Sequence, residues 1–173
     1  MKKLLIIPLI VLLLAGCGGE KTLETISDVQ DTPVSVTMQR ILVQLPEELS
    51  TPALQSDKAG KLYLCEDYAV TVQTVAAGDL DKTLRTATGM GRENLQIIET
   101  WQGEVKLYRW VWATGGENGI QVGRGCIIDD GAYHYVLTAM ADEEKVAQVQ
   151  PVWQEIFSSF RLAEEREEVN TGS

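Results

Sequence analysis

Apolar and polar residues alternate along most of this chain with the short period of β-structure. Tyr68, Val70 and Val72 alternate with Ala69, Thr71 and Gln73, the pattern of a half-buried strand. Further strand-like runs lie at 41–45, 62–65, 95–101, 104–113, 119–129 and 132–140. Pro46 stops the first run, and the stretch from Pro46 to Gly60, with Pro52 and Asp57, reads as turns. Glu66-Asp67 between the 62–65 and 68–75 runs predicts a tight turn. Asp130-Gly131 between two alternating runs is a hairpin signal, because a positive φ at glycine matches the twist of the flanking strands.

Two segments change period. Asp79 stands as an N-cap before Leu80, Leu84 and Ala87 at helical spacing, and Gly89 follows as a C-cap, so the sequence predicts a short amphipathic helix over 80–88. From Asp142 onward Val146, Val149, Trp153, Ile156, Phe157 and Phe160 form one apolar stripe. Asp142 is expected to cap this second helix, with Glu143 and Glu144 in its first turn. Pro151 either kinks it or starts a new helix. Glu164 to Ser173 is a charged tail. Strands in a meander with two helices give an α+β class.

The N-terminus follows neither pattern. Lys2 and Lys3 precede an apolar run from Leu4 to Leu14, broken only by Pro8. A basic start, a short apolar run and small residues describe a secretory signal over 1–16. The run is shorter than the ~20 residues of an ordinary membrane span. Leu14-Ala15-Gly16-Cys17 resembles the lipobox of bacterial lipoproteins. That resemblance implies cleavage before Cys17, acylation of its thiol and a place on the outer side of the cytoplasmic membrane. Residues 17–38 are polar and acidic, carry Pro33 and show no sustained apolar period, so they read as a flexible tether. The globular domain is expected over 39–162, with the tail over 163–173.

Charge narrows the partners. The full chain carries 15 basic and 25 acidic residues, net −10. Losing Lys2 and Lys3 with the signal leaves 13 basic against 25 acidic residues, net −12. Such a domain lacks the clustered cations that phosphate contacts need, so nucleic acid is not expected as a partner. Contact with the membrane is expected through lipid on Cys17, two acyl chains anchoring stably where one is marginal. Beyond Cys17 the chain has Cys65 and Cys126. Export favours a disulfide between them, and two buried free thiols are the alternative.

The order of elements, early strands, a helix after Gly78-Asp79-Leu80, a four-stranded meander and a closing helix, resembles the PsbP-like fold. Asp130-Gly131-Ala132-Tyr133 and Trp153-Gln154-Glu155-Ile156-Phe157-Ser158-Ser159-Phe160 also carry the resemblance. It spans 40–162 and implies an α/β/α sandwich around an antiparallel sheet, with a binding or accessory role. No functional residue of that family has a counterpart here.

Candidate chemistry is sparse. His134 is the single histidine, and no Gly-x-Ser-x-Gly is present to supply a nucleophile elbow. One histidine makes no His-rich metal site. Asp129-Asp130 before Gly131 reads as a hairpin turn, because a calcium loop needs acids at alternating positions and a distant Glu. Gly89-Met90-Gly91 and Gly123-Arg124-Gly125 do not complete a dinucleotide fingerprint. The first reads as a helix stop and the second as a bulge or a close backbone approach. No catalytic residue, metal or cofactor is therefore expected. Tyr108, Trp110 and Trp112 share one face of a strand, with Lys106 in line. Exposed, they would stack on sugars or anchor a protein; covered by a helix, they would be core. The expected function is a lipid-anchored, extracytoplasmic, non-enzymatic domain that binds a protein or a small molecule. A cell-wall glycan module built on the aromatic stripe and an envelope hydrolase with an unrecognised site are the alternatives.

Overall fold

The computed structural model describes residues 37–56, 60–116 and 119–163; the signal-like segment, Cys17, the tether up to Val36 and the tail from Glu164 lie outside the described residues. In chain order the regular elements are β1 (Ile41–Leu42), β2 (Leu54–Ser56), β3 (Gly60–Leu64), β4 (Ala69–Ala76), α1 (Leu80–Thr88), β5 (Gln96–Gln102), β6 (Val105–Gly116), β7 (Gly119–Asp129), β8 (Tyr133–Asp142), α2 (Val146–Ser159) and β9 (Arg161–Leu162). Short 3-10 turns at Glu47–Leu49, Arg92–Asn94 and Glu143–Lys145 punctuate them.

Seven strands form one antiparallel sheet in the order β2-β3-β4-β8-β7-β6-β5. β5 to β8 are a meander, each strand pairing with the next in sequence. β4 pairs with β8, so the stretch carrying α1 crosses from the middle of the sheet to its far edge. The hairpins form where the turn residues predict them. Cys65 N–H donates to Tyr68 O across Glu66-Asp67 at 3.1 Å. At the β7–β8 turn the Asp130 carboxylate accepts the N–H groups of Ala132 and Tyr133 at 2.9 and 2.7 Å, and Gly131 takes φ 88°. An aspartate that satisfies its own turn and a glycine with positive φ close this connection locally.

The sheet is covered on both faces, which gives the expected α/β/α sandwich. Neighbouring residues on each strand belong to opposite clusters, as the pleat requires. Leu107, Cys126, Ile128 and Leu137 pack with Val149, Trp153 and Ile156 of α2. Tyr108, Trp110, Trp112, Ile127 and Val136 pack with Leu84 of α1. α1 has the caps its sequence predicts: the Asp79 carboxylate accepts Asp81 N–H at 2.9 Å, and Gly89 is left-handed at φ 76°.

Four expectations at the boundaries change. The 41–45 run is only a two-residue strand, because β1 pairs with β9 in a separate ribbon rather than with the main sheet. The turn-rich segment contains β2, a three-residue edge strand held by β3. Asp142 does not cap the second helix. It ends β8, accepts from Gln121 Nε2 at 3.3 Å and makes no capping bond. Pro151 does not start a new helix; it lies inside α2, which runs through it.

The entry and exit of the described chain are pinned together. Ala163 N–H donates to Arg40 O at 2.8 Å and Gln44 N–H to Ser159 Oγ at 2.9 Å. Gln39 N–H donates to the Tyr135 hydroxyl at 2.9 Å, which in turn donates to Asp130 Oδ2 at 2.7 Å. Burial pushes the Tyr135 phenol up to about 12, with its bond to Asp130 adding to the effect, so it stays a donor. Among the described residues, no helix is long and apolar enough to cross a membrane.

Candidate functional site

The aromatic stripe is core. Tyr108, Trp110 and Trp112 are 6, 3 and 7 % exposed under α1, so the glycan platform expected of an open stripe is not present. The reason lies one strand away. Trp110 stands opposite Gly125 and Trp112 opposite Gly123 in the β6–β7 register. A Cβ added at Gly125 would collide with the Trp110 ring, and one at Gly123 with the Trp112 ring. The two glycines are thus a close backbone approach, over which the indoles lie.

The two cysteines are not bridged. Both thiols are free. Cys65 follows β3 and Cys126 lies in β7, with β4 and β8 between them in the sheet. Three strand spacings of about 4.8 Å separate them by roughly 14 Å, twice the ~7 Å that a disulfide tolerates. The disulfide expectation is therefore corrected. The export argument spoke to a compartment and could not supply a distance. Burial pushes the Cys126 thiol up to about 11, against a weaker downward pull from Arg109 and Arg124, so it remains a neutral thiol.

His134 is a buried structural link. Its ring is 2 % exposed. Nδ1 lies 2.8 Å from Thr83 Oγ1 of α1, and Nε2 lies 3.7 Å from Asp129 Oδ2 of β7. Hydroxyl, imidazole and carboxylate stand in the order of a hydrolytic triad. Thr83, however, is itself only 7 % exposed, on the sheet-facing side of α1. The Thr83–His134 hydrogen bond ties α1 to the sheet in an otherwise apolar layer. Asp129 and Asp130 hold the hairpin turn: Asp129 Oδ1 accepts Gly131 N–H at 2.8 Å.

What sequence reasoning missed lies on the other face. α2 leaves the β5–β6 margin of the sheet open beside it. A groove of about 430 Å³ runs there between α2 and strands β5, β6 and β7. Ile98 and Val111 on its sheet wall are 65 and 60 % exposed, high values for apolar side chains on strands. Val146 and the buried Trp153 of α2 form the opposite wall. Arg109 and Arg124 stand in the same groove. Arg124 lies over the Phe157 ring at 4.8 Å, and Arg109 donates to Thr100 Oγ1 at 3.4 Å. The volume lies within the few-hundred-Å³ range of small-ligand sites. The signal was present in the sequence. Val105, Leu107, Val111 and Ala113 share one face of β6 with Arg109 among them, and nothing in periodicity says that α2 stops short of it.

Among the described residues no group of three or more His, Cys, Asp or Glu side chains converges as a metal site. No protein-family model matches the chain. No curated protein sequence matches it. Among solved structures, the chain is similar to LpqN, involved in cell envelope biogenesis of Mycobacterium tuberculosis, at 14 % identity over 73 % of this chain and 84 % of LpqN, with a TM-score of 0.51. It is more loosely similar to the cyanobacterial PsbP (CyanoP) from Synechocystis sp. PCC 6803, at 11 % identity over 75 % of this chain and 96 % of that one, with a TM-score of 0.48. The likeness to LpqN is one of fold: an antiparallel sheet between helices, as found here.

Proposed function

We propose that this chain is a lipid-anchored, extracytoplasmic accessory protein that binds a partner or ligand through the groove beside α2 and performs no chemistry of its own. The observation that carries the binding role is the groove: exposed Ile98 and Val111 beside α2, with Arg109 and Arg124 in the same lining. Leaving such side chains in water forgoes burial worth about 25 cal/mol per Å², which is offset when a ligand covers them. Leu14-Ala15-Gly16-Cys17 supports the anchor, and a fold shared with an envelope-biogenesis protein is consistent with that setting.

The anchor is tested by metabolic labelling with a fatty-acid analogue. Label is expected on the wild-type chain and not on Cys17→Ser. Label persisting on Cys17→Ser contradicts the anchor. The binding role is tested separately, by whether the open wall of the groove is engaged in the native envelope.

A further inference from the structure

We infer that the α2-side groove takes a single-chain amphiphile with an anionic head, the apolar chain lying along Ile98, Val111, Val146 and Trp153 and the head held by Arg109 and Arg124. This deepens the binding role proposed above and rests on it. The walls and the cations fall in one place for a reason of register. Val111 pairs with Arg124 and Arg109 with Cys126 across β6 and β7. Arg109 and Arg124 are therefore diagonal neighbours on one face, about 7–8 Å apart at the backbone, with Val111 beside both.

Three other cations on the described surface are matched to acids, while Arg40, Lys61, Lys82, Arg92 and Arg161 make no ion pair. Arg85 pairs with Asp81 and Glu93, Lys145 with Asp67 and Lys106 with Glu99. Among the described residues neither Arg109 nor Arg124 has a carboxylate within 4.0 Å. In a chain of net charge −10, two adjacent arginines facing apolar walls are a local reversal of sign. Guanidinium groups suit carboxylate or phosphate oxygens through paired N–H donors. Arg124 is further held over Phe157, which fixes its plane and lowers the entropy lost on binding. The indole Nε1 of Trp153, a residue of this wall, is buried without a hydrogen-bond partner among the described residues.

The test is calorimetric titration of the mature chain, with serine replacing Cys17, using decanoate, 1-decanol and acetate as probes at pH 8. Decanoate is expected to bind at one site, with decanol and acetate each at least ten-fold weaker. Arg109→Gln and Arg124→Gln are each expected to weaken decanoate about ten-fold and to leave decanol unchanged. Val111→Glu, at a solvent-exposed position, is expected to abolish decanoate binding with the melting temperature retained. Equal binding of decanoate and decanol, insensitive to both arginine variants, overturns the anionic class and leaves the groove as an apolar binding site. Decanoate binding unaffected by Val111→Glu overturns the location. No binding of any probe overturns the amphiphile altogether, while the binding role stands or falls on capture in the native envelope.

Discussion

At the scale of single residues, glycine and tryptophan form one packing unit. Gly123 and Gly125 are needed because Trp112 and Trp110 lie over them, not because their backbone requires glycine. Gly125→Ala is therefore expected to destabilise the fold by about 1–3 kcal/mol through overpacking. Urea unfolding of the variant against wild type measures it, and an unchanged midpoint would show that the Trp110 ring can move aside at no cost. The free thiols make a second residue-level expectation. Unfolded, non-reduced protein lacking Cys17 should show two reactive thiols per chain, and a reducing agent should leave its melting temperature unchanged. In the native state Cys126 should react far more slowly than Cys65, because it is buried and neutral. Absence of free thiols on unfolding would contradict the strand order that holds the pair apart.

At the scale of elements, most of the architecture was readable from the sequence, and the exceptions share a cause. The Asp130-Gly131 hairpin, the Glu66-Asp67 turn and the Asp79-to-Gly89 helix are written in local turn and cap chemistry, and each stands where it was expected. β1, β2 and β9 were misread or missed because each exists only through a distant partner: Ile41 meets Leu162, and Leu54 meets Leu62. Two or three residues carry too little pattern to announce a strand. The fate of the aromatic stripe was undecidable for the same reason, since period 2 assigns a face but not what covers it. The groove was missed because it is defined by where α2 ends its coverage, a property of packing. α1 supplies a pH-dependent test. Asp81 accepts Arg92 N–H and Arg85 Nε, both at 2.7 Å, and these bonds, the backbone one foremost, hold its carboxyl below the usual range. A depressed folded-state value contributes stability at pH above the ordinary carboxylate value of about 3.9, lost as pH falls through the folded value. Asp81→Asn should thus lower the melting temperature modestly at pH 7, with the gap to wild type closing in strong acid. A gap that stays constant down to pH 2 would remove the ionic contribution. Asp79→Ala should cost about 1 kcal/mol through the lost N-cap.

At the scale of the whole molecule, the described chain closes on itself from Gln39 to Ala163 through the Gln39–Tyr135–Asp130 bonds and the Arg40–Ala163 pair. A chain spanning 38–163 is expected to melt within error of the mature protein, and a large loss would place residues before Met38 in the fold. The sandwich also divides its labour. On the α1 face Tyr108, Trp110 and Trp112 fill the layer over β6 and β7, whereas the α2 face is left partly open at the β5–β6 margin. Exposed Ile98 and Val111 at that margin are the basis for a binding role on the α2 side. The most direct measurement is photo-crosslinking from benzoylphenylalanine placed at Val111 in the membrane-anchored chain, with the same group at exposed Thr86 of α1 as control, read by intact mass. A discrete adduct at position 111, with the mass of a small amphiphile and absent at position 86, is the expected result. No adduct at 111, or the same adducts from both positions, would contradict binding through this groove.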